Sequence, residues 1–220
     1  MGLPARVLRL GPSATGSNVA GTSGSTGRRL GAGIAKVSPQ VYVSLLPPED
    51  WIQRVNQELN RIIPSDFGLN TPPHVTVLRP TLVAFTGVQD VLGESLARVK
   101  PLAVMLSAPT ILGGTKCARV ALKVEEEGLL RLHQSLLKQA QGPPLPWPYE
   151  PHLNLCQTPE GRAKDKEAQY ILEEIAESVQ RRLDKKIIPA AVRLIRARVE
   201  WRCASGRLLG SQDVWLHSQC

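Results

Sequence analysis

The sequence predicts an α+β domain built from two similar halves. Strand-like and helix-like segments alternate along the chain, and both halves pass through them in nearly the same order. A short Pro-His motif occurs once in each half, at residues 73–77 and again 78 residues later at 151–155. Such weak internal symmetry is expected when two similar lobes face each other across a cleft.

The first half opens with an apolar strand at 41–46, which two prolines close. A helix is predicted over 49–63, because apolar residues recur there at helical spacing. The first motif strand follows at 74–79 and is predicted to stop at Pro80. A helix and a strand pair complete this half, at about 88–99, 102–111 and 117–124.

The second half uses the same kinds of element. A helix over 126–140 places leucines on one face, and a Pro-rich stretch then leads into the second motif strand at 151–156. A long helix is predicted over 163–184, again from an apolar stripe at helical spacing. The last strands are predicted at 191–201 and 213–217.

Each motif contains a His followed two positions later by a small hydrogen-bonding residue, as His74 with Thr76 and His152 with Asn154. Side chains alternate between the faces of a strand, so each pair projects together while its aliphatic neighbours face the core. Two imidazoles and two donors could therefore line one cleft. This arrangement suits phosphoryl chemistry without a metal, because a neutral imidazole accepts the nucleophile's proton while an imidazolium protonates the leaving oxygen.

The paired motifs resemble those of the two-histidine (2H) phosphoesterase superfamily, which includes 2′-5′ RNA ligase-like proteins and 2′,3′-cyclic nucleotide phosphodiesterases. The first motif matches the family pattern in full, whereas Asn154 stands where the family has Thr or Ser. The resemblance covers roughly residues 40–217. It implies two pseudo-symmetric lobes of antiparallel strands, with outer helices, around a central cleft.

The resemblance also implies the roles of the motif residues. His74 and His152 become the catalytic acid–base pair, with His152 as base in hydrolysis, and Thr76 and Asn154 hold the phosphate. The expected reaction is hydrolysis, or reversible ligation, of 2′,3′-cyclic phosphate or 2′-5′ linkages in RNA ends or small nucleotides. An Asn amide donates hydrogen bonds as a hydroxyl does, but it is longer and planar. A non-catalytic RNA- or nucleotide-binding module with a degenerate site therefore remains the alternative.

Charge is unevenly distributed along the chain. Residues 1–36 carry five basic and no acidic side chains and are rich in Gly, Ser and Thr. We expect a disordered basic tail there, or an organelle transit peptide, before a domain at 37–220. The remaining 22 basic and 19 acidic side chains fit a phosphate-bearing ligand and are not the footprint of a protein that grips a DNA duplex.

Several classes of protein lose their usual sequence support. No apolar run approaches the roughly 20 residues that cross a bilayer, and the four cysteines form no C-x-x-C pair. No phosphate-binding P-loop, dinucleotide fingerprint or H-E-x-x-H zinc motif is present. We therefore expect a monomer without metal, cofactor or membrane, in the cytoplasm, or in a mitochondrion or plastid if the tail is a transit peptide.

Other polar or aromatic residues have a simpler interpretation beside a functional one. Trp147 and Tyr149 could stack on a nucleobase, or they could pack the Pro-rich loop. Simple structural roles are expected for the rest: a helix boundary or surface for His133, a helix N-terminus for Glu125–Glu127, a buried filler for Cys156, and solvated positions for Arg193, Arg196, Arg198 and His217.

Overall fold

The computed structural model describes residues 40–70, 72–83, 87–143, 148–203, 205 and 207–217. The predicted tail at 1–36 lies outside this set, as does Trp147. The elements are β1 (Gln40–Leu46), α1 (Glu49–Leu59), β2 (Gly68–Leu69), β3 (Val75–Leu82), α2 (Val88–Ala97), β4 (Leu102–Leu112), β5 (Arg119–Glu125), α3 (Glu127–Gln139), β6 (His152–Gln157), α4 (Lys166–Asp184), β7 (Ala191–Leu194), β8 (Arg196–Arg202) and β9 (Leu208–Trp215).

Within the described residues, the strands form one antiparallel sheet in the order β7-β4-β5-β6-β3-β1-β8-β9, and the short β2 pairs with β6. The two motif strands, β3 and β6, are neighbours at the centre of this order. They divide the sheet into two lobes, four strands on the side of β3 and four strands with the short β2 on the side of β6, with one motif on either side of the junction. The predicted α+β fold of two antiparallel lobes with outer helices is confirmed.

The lobes do not correspond to the two halves of the sequence. Strands β4 and β5 follow the first motif along the chain, yet they pair with the second motif strand, β6. Strands β8 and β9 follow the second motif, yet they join the first motif strand through β1. The expectation of contiguous halves is therefore wrong, because the order of elements carries no information about which strands pair.

The sheet is strongly curled. The strand predicted at 191–201 is in fact two strands, β7 and β8, separated by Ile195 alone. β7 pairs with β4 at one edge of the sheet, whereas β8 pairs with β1 in the other lobe. Six strand spacings would hold them about 29 Å apart in a flat sheet. A connection of one residue is possible only because the sheet curls until these strands approach each other.

One face of the motif strands is buried in the core. Val75 and Val77 on β3, and Leu153 and Leu155 on β6, are fully buried. Helix α4 packs on β4 and β5, α2 packs on β8 and β9, and α3 packs on β3. The aliphatic residues of both motifs thus face the core as predicted, which leaves the opposite face of the central strands for polar side chains.

Capping residues explain where two helices begin. Asp165 accepts hydrogen bonds from the backbone amides of the first turn of α4, so this helix starts at Lys166 rather than at 163. Glu126 caps α3 in the same way, which confirms the expectation for the acidic run. Helix α1 ends earlier than predicted, and β9 begins earlier, at residue 208 rather than 213.

Strand β3 continues to Leu82, past Pro80, where the sequence predicted its end. Its pairing with β1 is interrupted by a bulge between Leu78 and Thr81. Proline has no backbone N–H to donate, and a bulge leaves residues outside the regular ladder. The strand therefore passes Pro80 without losing a ladder hydrogen bond.

Candidate active site

The four predicted site residues line one cleft between the lobes. His74 and Thr76 border it from the first motif, and His152 and Asn154 border it from the second. The motif strands are joined by a single residue pair, Val75 with Leu153. This pair lies midway between the motifs, so in an antiparallel arrangement each histidine lies across from the polar partner of the other motif. The cleft has a volume of about 910 Å³.

Both histidines are oriented by the same local hydrogen bond. Nδ1 of His74 lies 2.9 Å from the carbonyl oxygen of Pro72, and Nδ1 of His152 lies 2.9 Å from that of Glu150. A carbonyl oxygen only accepts, so Nδ1 donates in both cases. Each carbonyl belongs to the residue before a proline, which is held in an extended conformation. The repeated Pro-His pair therefore leaves Nε2 of each imidazole available for proton transfer.

Tyr42 on β1 connects the two polar residues of the first motif. Its hydroxyl lies 2.7 Å from Nε2 of His74 and 2.7 Å from Oγ1 of Thr76. Tyr42 was not among the predicted site residues. Its signal was visible, because Tyr42 alternates with the buried Val41 and Val43, but nothing in the sequence showed that β1 pairs with β3.

A bulge at the same position of each motif strand changes which side chains face the cleft. Val77 and Leu155 are each an extra residue in the ladder, directly after Thr76 and Asn154. A bulge alters the alternation of the residues that follow it. Arg79 consequently lines the cleft, although simple alternation from His74 assigns it to the other face.

Backbone carbonyls at the first bulge are held by two side chains from elsewhere in the chain. Tyr149 donates from its hydroxyl to the carbonyl of Thr76 at 2.8 Å, and Nδ1 of His133 donates to that of Val77 at 2.8 Å. The two rings stack with centroids 4.1 Å apart. His133 is 5% exposed, so the expectation of a surface or boundary position is wrong. The carbonyl of Val77 is outside the regular ladder and needs a donor from elsewhere, which explains why a His is buried there.

At the second bulge, Asn70 alone supplies both hydrogen bonds. Its backbone N–H donates to the carbonyl of Leu155 at 2.9 Å, and its side-chain amide donates to that of Asn154 at 3.0 Å. The side chain of Asn154 is less well organised than that of Thr76. Its Oδ1 is buried and has no hydrogen-bond partner among the described residues.

Three arginines give the cleft a positive rim, namely Arg79, Arg119 and Arg202. Arg119 donates to Gln157 at 3.4 Å, and Arg202 is paired with Glu200 at 2.6 Å. Arginine carries a fixed charge and a planar fork of donors, which suits phosphate oxygens. The cleft is therefore well built to bind an anion.

Burial shapes the protonation of the site. It lowers the pKa of both His74 and His152 from the ordinary value of 6.5, because desolvation disfavours the charged imidazole. The nearby guanidinium groups of Arg79 and Arg119 lower the pKa of His152 further. Burial raises the pKa of Tyr42, so its hydroxyl stays protonated at neutral pH. Both histidines are thus biased toward the neutral form until an anion binds.

The remaining sequence candidates lie away from the chemistry or have structural roles. Arg196 and Arg198 pair with Asp213, at 3.3 and 2.8 Å, outside the cleft. Cys156 is 1% exposed at the base of the cleft, and burial raises the pKa of its thiol to about 11. Among the described residues, no group of three or more His, Cys, Asp or Glu side chains is placed to hold a metal ion. In the same part of the chain, every helix is too short or too polar to cross a membrane.

A two-lobed antiparallel sheet, with one His motif on each side of the central junction, defines a protein of the two-histidine phosphoesterase class. The chain belongs to the 2′-5′ RNA ligase superfamily, whose family model matches residues 46–200 and so includes both motifs. No curated protein sequence matches the chain significantly.

Solved structures of Usb1 share this fold at low sequence identity. Usb1 of Kluyveromyces marxianus superposes with a TM-score of 0.52 at 14% identity, over 81% of this chain and 97% of Usb1. The structure of the same Usb1 with uridine monophosphate gives 0.53 at 12% identity, over 82% and 99%. Escherichia coli LigT complexed with 3′-AMP gives 0.47 at 12% identity, over 82% and 96%.

Proposed function

We propose that this protein is a metal-independent phosphodiesterase that hydrolyses, or reversibly ligates, 2′,3′-cyclic phosphate or 2′-5′ linkages in RNA or small nucleotides. The observation that carries the proposal is the matched orientation of His74 and His152 in one cationic cleft, where Nδ1 of each imidazole is held by a carbonyl and Nε2 remains for proton exchange, with the Tyr42 hydroxyl on Nε2 of His74. Paired proton transfer from two positioned imidazoles is the chemistry that this geometry suits best. Residues 37–220 would form the catalytic domain, and residues 1–36 would lie outside it.

The proposed hydrolysis of a cyclic phosphate proceeds in one balanced step. Nε2 of neutral His152 accepts a proton from water, and the water oxygen forms a bond to phosphorus. The bond from phosphorus to one ribose oxygen breaks, and that oxygen takes the Nε2 proton of the His74 imidazolium in place of the Tyr42 hydroxyl, which contacts Nε2 in the empty site. Ligation runs the same step backward with the two histidines in exchanged roles.

The surroundings of the two imidazoles support this division of roles. No described residue hydrogen-bonds Nε2 of His152, so this nitrogen can receive the water proton directly. Arg79 and Arg119 also favour the neutral form that a base requires, since they lower the pKa of His152. Thr76, Asn154 and the arginines would hold the non-bridging phosphate oxygens and stabilise the charge that builds on phosphorus.

A nucleotide is a fitting ligand for a cleft of this size and polarity. Its volume of about 910 Å³ lies within the usual range for small-molecule sites and exceeds the needs of a bare phosphate. Uridine monophosphate is present in one of the Usb1 structures that share the fold. A nucleoside with a phosphate on its ribose is therefore a reasonable first probe.

The test is product formation from defined substrates. Purified protein is incubated with adenosine and uridine 2′,3′-cyclic phosphates and with a 2′-5′-linked dinucleotide, and the products are separated by chromatography. The double variant His74→Ala, His152→Ala, purified in parallel, controls for contaminating nuclease. We expect turnover that survives a metal chelator and is absent from the double variant. Abolition by the chelator with rescue by a divalent ion would contradict the two-histidine mechanism.

A non-catalytic nucleotide-binding module is the second candidate, and the unpaired Oδ1 of Asn154 favours it. A binder would respond to 3′-AMP in a titration but would form no product from any cyclic substrate. The variant Asn154→Val discriminates further, because it removes the amide donor from the cleft. If Asn154 holds phosphate in an active enzyme, this change costs about 1.5–3 kcal/mol of transition-state stabilisation. Equal kinetics of Val and Asn would show that position 154 holds no phosphate.

A further inference from the structure

The hydrogen bonds around Tyr42 form a chain with few possible arrangements. Nδ1 of His74 donates to the carbonyl of Pro72, so Nε2 carries a proton only when the imidazole is charged. The Tyr42 hydroxyl contacts both Nε2 of His74 and Oγ1 of Thr76 at 2.7 Å. Tyr and Thr have one hydroxyl proton each, so a neutral His74 fixes the direction of both hydrogen bonds of Tyr42.

In the neutral state, Nε2 of His74 is an acceptor. Tyr42 must donate its only proton to it, so the contact between the two hydroxyls requires Thr76 to donate to Tyr42. Thr76 then presents only lone pairs to the cleft. Lone pairs repel the oxygens of a phosphate.

In the charged state, the direction reverses. Nε2 of His74 donates to Tyr42, so the Tyr42 proton is released from His74 and can be donated to Thr76. The hydroxyl proton of Thr76 is now released from the chain and can turn toward the cleft. Thr76 becomes a donor to a phosphate oxygen at the moment when His74 becomes an acid.

We propose that Tyr42 is a positioning residue that couples protonation of His74 to the capacity of Thr76 to donate a hydrogen bond to a bound phosphate. The proposal rests on the proposed function, in which the cleft binds a phosphate. Its consequence is that phosphate and proton bind together. The occupied site therefore holds His74 as an imidazolium, the form needed to protonate the leaving oxygen.

Few groups around the hydrogen bonds of His74, Tyr42 and Thr76 titrate over the same pH range. Among the side chains that face them, only the imidazole of His152 belongs to a class that titrates between about pH 5 and 9. Burial raises the pKa of Tyr42, which keeps its hydroxyl proton in the chain. The charged and titratable groups that face these hydrogen bonds are Glu200, Arg198 and Arg202 on β8, Arg119 on β5, Arg79 on β3, His152 on β6 and Tyr149.

The experiment measures how much the Thr76 hydroxyl contributes to anion binding at two pH values. Sulfate is the probe, because its own charge is constant over this range. Its dissociation constant is measured by calorimetry for wild type and Thr76→Val, at about pH 5 and about pH 8.5, on either side of the ordinary His titration. The same pair is then measured with Tyr42→Phe added. Within each pair, the dissociation constant of the Thr76→Val protein is divided by that of the protein with Thr76. This Val-to-Thr ratio largely cancels the effect of His152 titration.

In the wild-type background we expect Thr76→Val to weaken sulfate binding roughly tenfold or more at the lower pH, which corresponds to a charge-assisted hydrogen bond. Little effect is expected at the higher pH, where the hydroxyl proton is held by Tyr42. With Tyr42→Phe, the Val-to-Thr ratio should be the same at both pH values. The variant Tyr170→Phe, which changes a 60% exposed tyrosine on α4, should behave as wild type.

The coupling is overturned if the Val-to-Thr ratio changes with pH as much in the Tyr42→Phe background as in the wild-type background. It is also overturned if the ratio in the wild-type background does not change with pH. NMR of ¹⁵N-labelled histidine gives a second measurement: neutral His74 must carry its proton on Nδ1, and the other tautomer contradicts the chain. Failure of sulfate to bind at all overturns the coupling together with the phosphate site. Sulfate binding and cyclic phosphate turnover without pH-dependent coupling would leave the proposed function standing and reject the role of Tyr42.

Discussion

The two motif strands carry the same bulge, yet different kinds of group hold it. In the first motif, His133 and Tyr149 donate from distant parts of the chain to the carbonyls of Thr76 and Val77. In the second motif, Asn70 reaches the corresponding carbonyls with its backbone and side chain. The backbone geometry is thus conserved between the halves while the side chains that maintain it differ. The bulge is the feature that both halves require.

The side chains at equivalent positions also differ. Thr76 pairs with Ser44 across the ladder, and Asn154 pairs with Ala121. Tyr42 on β1 and Arg119 on β5 each lie two residues before these partners, and both line the cleft. The strand that pairs with the first motif therefore supplies a hydroxyl group that contacts His74 and Thr76, whereas the strand that pairs with the second motif supplies a fixed positive charge. The proposed roles, an acid at His74 and a base at His152, make use of this difference.

The largest expected effect removes either imidazole. His74→Ala or His152→Ala should lower kcat by about 10² to 10⁴, the usual contribution of a general acid or base. The double variant should lose less than the product of the two losses, because the pair acts as a unit. His217→Ala is the matched control, since this histidine is exposed and outside the cleft. Near-normal turnover of both single variants, in nuclease-free preparations, would show that the reaction does not use these residues.

The second expected effect concerns the positive charge on β5, the strand that pairs with the second motif. Arg119→Gln should raise KM for a cyclic nucleotide by roughly tenfold or more, the loss of one charge-assisted hydrogen bond. The variant should also depend less on ionic strength. Arg131→Gln removes a surface arginine that is paired with Glu127, and it should leave KM unchanged. If both variants behave alike, the positive rim of the cleft does not bind the substrate.

Much of the local structure was predictable from short-range patterns. Alternation within each motif correctly assigned Val75 and Leu153 to the core, and helical spacing located all four helices of the described chain. The role of the repeated Pro before each His was not predictable from the motif. Its role depends on the carbonyl two residues before the His, and a motif read as side chains alone does not reveal it.

The missed features all depend on long-range pairing or on broken alternation. Tyr42 meets His74 only because β1 pairs with β3, and Arg119 enters the cleft only because β5 pairs with β6. Arg79 reaches the cleft only because a bulge shifts the alternation after Val77. Bulges leave little trace in composition, and strand pairing leaves none in the order of elements. A sequence can therefore predict the reactive pair while missing the residues that tune it.

A third prediction uses the pKa shifts of the two motif histidines. The value of kcat/KM should rise as pH passes the pKa of His152, which must be neutral, and fall as it passes that of His74, which must be charged. Burial lowers both values from 6.5, and the arginines lower that of His152 further. The bell-shaped profile of the free enzyme should therefore have its maximum below pH 6.5. Arg119→Gln should move the rising limb to higher pH, because it removes a charge that lowers the pKa of His152.

Kinetics over about pH 4 to 9 with one cyclic nucleotide would check both statements. Arg131→Gln again serves as the control, since its guanidinium lies outside the cleft and should not move either limb. A maximum well above pH 7, or a rising limb unaffected by Arg119→Gln, would mean that the two halves do not divide acid and base in the way described.

The smallest expected effect makes the second motif more like the first. Asn154→Thr replaces an amide whose Oδ1 is buried and unpaired with a shorter hydroxyl that fits opposite Ala121. The backbone carbonyl of residue 154 would still accept from Asn70, so the bulge and the fold should be retained. We expect turnover equal to or a few times higher than wild type, with a changed preference among cyclic and 2′-5′ substrates, because a hydroxyl donates to phosphate from a different position.

Steady-state kinetics on a panel of substrates, together with thermal unfolding, would measure this change. Asn154→Ser is the matched control, since it supplies the hydroxyl without the extra methyl group and should show the same direction. A loss of more than about tenfold in Asn154→Thr, with the melting temperature unchanged, would show that the amide itself is required. The second motif would then require an amide at position 154 to hold the phosphate. The difference between Thr76 and Asn154 would be part of the mechanism.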